Sequence, residues 1–325
     1  ISLTAAWHWH SAPRHASAQS GGGSHHELTR ILQDRIASSG LSDELSFVVL
    51  DLATGQPVFS HQGDRPMIPA SNMKLLTAAA ALSLLGPQYR FRTGVSETVS
   101  DGVVEDLTIQ GFGDPSLRRA DLWALALEIR ERGITHVTSV TVDASAFDNE
   151  LVPPSFEQQP GEYAPFRASI SALAVDANAY EIRLFPSVDR VRVEVDGAGY
   201  FRLENRIVMG TSVNVIADQA DRGEFMSLRL GGTISGTSRI VYRRRVENPL
   251  FWSGHVFRDC LTEAGIQVSG AVRLGLTPRG VPLLAQRRSA PLYELLDPLG
   301  KNSDNFPAEM IFRALGARQG QGIAA

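Results

Sequence analysis

Hydrophobic positions recur along this chain with a period that changes twice. In SHHELTRILQDRIASSG, Leu28, Ile31, Leu32 and Ile36 fall at helical spacing, with Ser24 as a candidate N-cap and Gly40 as a stop. ELSFVVLDLATGQPVFSHQGD then reads as a hairpin, with Phe47 to Leu52 and Pro57 to Ser60 flanking ATGQ. From Ser71 to Leu85 a helix is predicted, apolar on nearly every face and ended by Gly86-Pro87. A helix of that pattern is expected to be enclosed.

Beyond residue 88 the texture becomes β-like. FRTGVSETVSDGVVEDLTIQGFGDPSL reads as short strands, ADLWALALEIRERGI as an amphipathic helix on Leu122, Leu125 and Ile129, and HVTSVTVDASAFD as a strand. Alternation in YEIRLF, VRVEV, FMSLRL and RIVY continues the β character to about residue 245. Helix returns at NPLFWSGHVFRDCLTEAGI, and PLYELLDPLGKNSDNFPAEMIFRALG reads as helix, loop, helix. The simplest topology is one α/β domain interrupted by a large β-rich insertion. The expected boundaries are a tail over 1–23, a first domain part over 24–88, inserted β-rich domains over 89–245, and a return over 246–325.

Composition changes this picture little. The chain has 325 residues, 43% hydrophobic and 20% charged, and a net charge of −4 with no basic stripe, so nucleic acid is not an expected partner. No stretch approaches the ~20 apolar residues of a membrane-spanning helix. Cys260 is the single cysteine, so no intramolecular disulfide forms, which suits the cytosol and equally a large exported domain. Neither a His-x-x-x-His pair beside a glutamate nor a Cys-x-x-Cys occurs, and no metal or other cofactor is expected. ASA at 16–18 has the small-residue character of an export-signal end, and a plain polar tail reads equally well.

Lysine usage is more pointed: Lys74 and Lys301 are the only two, the other basic residues being arginines. Ser71 as an N-cap and Lys74 as a solvated side chain is the plain reading of SNMK. Against it, a cap is usually followed three residues on by Glu or Gln, whereas a lysine faces the positive helix end. Residues i and i+3 share a helix face, so the Lys74 amine can reach the Ser71 hydroxyl. Burial and a helix N-terminus both favour a neutral amine, which serves as general base to a serine nucleophile. Taken alone, Ser-x-x-Lys leaves both readings open. Ser303, Asp304 and Asn305 offer a hydroxyl that relays a proton and an amide that orients a substrate, although by themselves they read more simply as a turn capping FPAEMIFRAL. Ser212 to Asn214 has the same Ser-x-Asn spacing but lies in the β-rich part without a following helix, and is set aside.

Ser-x-x-Lys followed by Ser-Asp-Asn resembles the motif set of penicillin-binding proteins and serine β-lactamases. The β-rich gap between them is similar to that of the class C penicillin-binding proteins, the D-alanyl-D-alanine carboxypeptidase/endopeptidase family. IPASNMKLLTAAAAL, GFGDPSL, VDASAFD, the Tyr163–Asn178 region and NPLFWSGHVFRDCLTEAGIQVSG resemble family stretches too, so the likeness covers about residues 25–316. It implies a transpeptidase-like α/β fold and a periplasmic or cell-envelope hydrolase of peptidoglycan stem peptides, with β-lactams as covalent inhibitors. Ser71 would attack the carbonyl between two D-alanines or at a D-configured cross-link. Lys74 would be the base, Ser303 would pass the proton toward the leaving amine, and Asn305 would hold the substrate amide and the lysine. Asp143 would approach the stem-peptide side chain, though an aspartate ending a strand is also a common turn residue.

The family's third motif, Lys-Thr-Gly or a variant, is absent from the sequence. The chain stops about where ~100 further residues of such a domain are expected. In the family that motif lies on a strand that supplies an oxyanion donor, and loss of such a donor costs about 10²–10³-fold in rate. The expectation is a C-terminally incomplete carboxypeptidase with little or no peptidase activity. The alternatives are a non-catalytic cell-wall binding or scaffold protein derived from that family, and a different serine acyl hydrolase such as a β-lactamase or esterase.

Overall fold

In the computed structural model the described residues are 22–100, 103–154, 156, 161–188 and 190–318. Most of the expected tail, 1–21, lies outside them, as does the side chain of the candidate cap Ser24. Two compact units are present, Ile1–Ala70 and Ser71–Ala325. The first holds helix α1 (Gly22–Ser39) and the predicted hairpin of β1 (Phe47–Leu50) and β2 (Pro57–His61), paired antiparallel. The Asp51 carboxylate accepts the amides of Ala53 and Thr54, and Gly55 takes a left-handed φ of 70°, which closes the turn.

The second unit begins with α2 (Met73–Leu85), preceded by a 3-10 turn over Ala70–Asn72. The predicted helix therefore exists, but Ser71 sits in that turn rather than at an α N-cap. Strands β3 (Arg92–Ser100) and β4 (Val103–Gly111) form an antiparallel hairpin. Helix α3 (Arg119–Glu131) buries Leu122, Leu125, Ala126 and Ile129, the predicted face. Next come β5 (His136–Val137) and β6 (Ser139–Asp143), then β7 (Ala179–Pro186), β8 (Val191–Val195), β9 (Phe201–Asn205), β10 (Val208–Met209), β11 (Asn214–Asp221), β12 (Met226–Ile234) and β13 (Ile240–Arg245). Helix α4 (Pro249–Glu263) is capped by Asn248, and β14 (Gln267–Val268), β15 (Val272–Leu274) and β16 (Leu283–Arg288) follow. The unit ends with α5 (Leu292–Asn302) and α6 (Asn305–Arg318).

Among the described residues the largest sheet runs β15-β6-β4-β3-β16, with α3 and α4 packed on it. β13-β7-β8 form a second sheet, and β10-β12-β11 with β9 beside β12 a third. The pairings of β14 with β5, β15 with β6 and β16 with β3 carry the β-rich part past the expected boundary at 245, to residue 288. One apolar core joins these layers around Trp252, Tyr180, Tyr200 and Phe201. Gly111 is needed for a close approach: a Cβ there would lie 2.3 Å from the Ala172 carbonyl oxygen, whose partner is the Gly113 amide at 2.8 Å.

The enclosure expected for α2 is not what the structure shows. Its alanine face, Ala78 and Ala81, packs with Phe91, Leu292, Leu299, Ile311 and Leu315 of the α5/α6 layer. Small side chains let these helices approach, and they use only one side of α2. Met73, Leu75, Leu76 and Leu84, on the other faces, are exposed.

Candidate active site

Three backbone devices bring the site together. Ser71 stands in the 3-10 turn and Lys74 is the second residue of α2. Helix α5 ends at Ser303, whose left-handed conformation (φ 54°, ψ 34°) breaks the helix and turns the chain. Asp304 Oδ1 then accepts the Phe306 amide at 3.0 Å, capping α6 and placing Asn305 at that helix's first residue. Further along α6, the buried Arg313 donates to Asp148, Glu309 and the Glu150 carbonyl, which fixes the helix.

The four predicted residues meet. Lys74 Nζ donates to Asn305 Oδ1 at 2.6 Å, Ser71 Oγ at 3.2 Å and Ser303 Oγ at 3.4 Å, while Ser303 Oγ donates to Ser71 Oγ at 2.8 Å. Ser71 and Ser303 are exposed, and Lys74 and Asn305 half-buried, so a ligand can reach both hydroxyls. Because Lys74 Nζ is the donor in this contact, the Asn305 oxygen faces it, leaving the Nδ2 donors for another partner. Two proton routes join the Ser71 hydroxyl and the Lys74 amine, one direct and one through Ser303. The other lysine, Lys301, is exposed and paired with Asp297 at 2.7 Å.

Asp143 is not part of this cluster. It is buried at the end of β6, with Oδ1 accepting the Ser145 amide at 3.0 Å, and Oδ2 accepting the Thr277 amide at 2.7 Å, the Thr277 hydroxyl at 2.6 Å and Gln110 Nε2 at 3.0 Å. Burial alone would raise its pKa, but the hydrogen bonds from Ser145 and Thr277 outweigh it and hold the carboxyl below its ordinary value. These contacts make Asp143 a clasp between β4, β6 and the loop at Thr277. Sequence reasoning missed that partner, since no pattern links residues 143 and 277.

A groove of about 370 Å³ opens beside Ser303 and Asn305, walled by Phe166, Ala177 and Arg243. Phe166 and Ala177 fall in the Tyr163–Asn178 stretch already noted for its resemblance, whereas Arg243, on β13, was not singled out by the sequence because it is far from them along the chain.

The D-Ala-D-Ala carboxypeptidase 3 (S13) family model matches residues 28–324. The D-alanyl-D-alanine carboxypeptidase of Actinomadura sp. (strain R39) is 34% identical over 308 residues, covering 89% of this chain and 56% of that protein. D-alanyl-D-alanine carboxypeptidase DacB of Haemophilus influenzae is 24% identical, over 83% of this chain and 58% of its own length. The chain thus spans somewhat more than half the length of these curated relatives. Among solved structures, penicillin binding protein 4 (dacB) of Haemophilus influenzae superposes with a TM-score of 0.69 at 23% identity, covering 87% of this chain and 66% of that one. The same protein complexed with a β-lactam gives 0.61 at 24% identity. This likeness shows the fold: the mixed α/β penicillin-binding-protein type with a β-rich insertion.

Proposed function

The chain belongs to the D-Ala-D-Ala carboxypeptidase 3 (S13) family, and on that premise we propose that Ser71 is the nucleophile of a serine-type D-Ala-D-Ala carboxypeptidase/endopeptidase. Its substrates are peptidoglycan stem peptides, and β-lactams acylate the same serine, as the β-lactam complex of the Haemophilus influenzae protein supports. Helices α2, α5 and α6 belong to the catalytic domain in this reading, and the sheets of 92–288 are its insertion. The site of action is the cell envelope, where the substrate is. Among the described residues no helix is long and apolar enough to cross a membrane.

Chemistry follows from the cluster. Ser71 Oγ attacks the carbonyl carbon between the two D-alanines, and its proton passes to the Lys74 amine as general base, directly or through Ser303 Oγ. The C–N bond then breaks, and the proton returns by way of Ser303 to the departing amine. A water, deprotonated by the same amine, cleaves the acyl-enzyme and regenerates Ser71. Asn305 keeps Lys74 in place through Oδ1 and offers Nδ2 to the substrate carbonyl on the acyl side. The observation that carries the reading is the Ser71–Ser303–Lys74 triangle, closed at 2.8, 3.2 and 3.4 Å by residues 229 and 232 positions apart.

The test is incubation with benzylpenicillin followed by intact-mass and peptide-mass measurement. One penicilloyl adduct on the peptide containing Ser71, absent in Ser71→Ala, is the expected result. An unmodified chain after prolonged incubation counts against the nucleophile assignment.

A further inference from the structure

Helix α6 is shared between two apolar clusters. Phe306 and Met310 belong to one with Phe147, Phe156 and Ile170 of the β-rich part, and Ile311 and Leu315 to another with Ala81 and Leu299 of α2 and α5. Burial of this kind is non-directional, so it selects which faces of α6 are covered without fixing how far the helix slides along its axis. The axial position matters, because Asn305 is the first residue of α6 and reaches Lys74 by a single contact of 2.6 Å.

A polar clasp supplies the missing direction. Asn305, Glu309 and Arg313 stand four residues apart on one helix face, with Arg313 about 12 Å along the axis from Asn305. The Arg313 side chain is only 5% exposed. Its Nε donates to Glu309 Oε1 at 3.0 Å, and its Nη1 to Asp148 Oδ1 at 2.9 Å and to the Glu150 carbonyl at 2.6 Å. Two of these three acceptors belong to the loop after β6. That loop is itself held at both ends: Asp143 before it is tied to Gln110 and Thr277, and beyond it the Leu151 carbonyl accepts the Ile170 amide at 2.7 Å. Within it, Asp148 Oδ1 also accepts the Glu150 amide at 2.8 Å, which keeps the two acceptors together. A planar guanidinium bonds in fixed directions, so its place on the loop is narrowly defined.

We propose that Arg313 is a positioning residue: through its bonds to Asp148 and the Glu150 carbonyl, the loop after β6 sets the axial place of α6 and so keeps Asn305 Oδ1 against Lys74. Arg313 touches none of the reacting atoms and acts through Asn305. Its effect on rate rests on the serine acyl-transfer reading of the site, whereas its effect on the Lys74–Asn305 contact does not. The β-rich part thereby takes a direct share in assembling the cluster, although none of its side chains lies in it.

Lys74 and Lys301 being the only lysines, the contact is open to NMR. Grown with lysine carrying carbon-13 at Cε, the full chain gives one Cε signal for each, and Lys301→Gln assigns them. Asn305→Ala is expected to shift the Lys74 signal and leave that of Lys301 in place. Arg313→Gln is expected to shift the Lys74 signal too, and to add nothing in an Asn305→Ala background, since a residue acting only through Asn305 has no effect without it. Breaking a buried charge pair can unfold a chain. In that event Asp148→Ala, which leaves Arg313 its bonds to Glu309 and the Glu150 carbonyl, is expected to give the shift instead. A Lys74 signal unmoved by Asn305→Ala, or by the folded variant at 313 or 148, overturns the proposal. So does a full-sized further shift in the double variant. Penicillin labelling of Ser71 is followed beside it, and Arg313→Gln is expected to slow it about 2–30-fold, the range of coupling carried by packed networks. An unlabelled wild-type chain sinks the acyl-transfer reading, and the lysine signals still decide Arg313.

Discussion

Two lysines of identical chemistry end up in opposite situations. Lys301 pairs with Asp297 in solvent, where an ion pair contributes little, while Lys74 donates to three polar side chains. Lys74→Gln keeps a donor for Asn305 but removes the proposed base. Its penicillin acylation rate is expected to fall by about 10²–10⁴-fold, the usual yield of a positioned general base. A loss below tenfold in the labelling time course would remove Lys74 from that role. Ser71 and Lys74 were legible in the sequence because their relation is local, i and i+3 on one face. Ser303 and Asn305 were not legible alone, since Ser-Asp-Asn is equally a capping turn, and Asp304 does cap α6. The second sense came from the resemblance. Asp143, which only the resemblance set near a stem-peptide side chain, receives hydrogen bonds from three separate segments, a convergence that no local pattern announces.

At the scale of elements, helices α3 and α4 and the long strands were readable because each buries a periodic face. β14, β15 and β16 were not. The first two span only Gln267–Val268 and Val272–Leu274, too short to show alternation, and they exist because β5 and β6 offer edges to pair with. Helix α2 misled by composition: apolar residues all round suggested cover all round, and only its alanine face is covered by α5 and α6. The turn after β4 depends on a missing side chain. Gly111→Ala would push a Cβ to 2.3 Å from the Ala172 oxygen, a backbone atom that cannot step aside cheaply. The cost expected is about 2–3 kcal/mol, read as a melting temperature lower by ~5–10 °C. An unchanged melting temperature would mean that the 172–173 segment yields freely.

Over the whole molecule, acid stability is set by buried groups remote from the site. His255 is pushed down to about 4, first by burial and then by the charges of Arg258 and Arg202. Its unfolded form binds the proton near pH 6.5, so the stability it contributes is complete above that value and is lost as pH falls toward 4. Asp259, one turn on, is raised by burial, so its contribution runs the other way and strengthens as pH falls. The His255 share is about 2–3 kcal/mol across that window. Urea midpoints for the wild type are expected to drop between pH 7 and 4.5, and His255→Gln to show a shallower drop, whatever its stability at pH 7. Parallel slopes would show that His255 does not titrate within this window.

The separation of Ser71 from Ser303 has a further consequence, for biosynthesis. The two hydroxyls lie 2.8 Å apart but 232 residues apart along the chain. Synthesis proceeds from the N-terminus at ~5–20 residues per second. For more than ten seconds at that pace, a growing polypeptide carries Ser71 and Lys74 with neither the Ser303 hydroxyl nor the Asn305 amide made. The cluster is thus delivered in two instalments, and its contacts close only after α5 and the start of α6 have emerged and met α2.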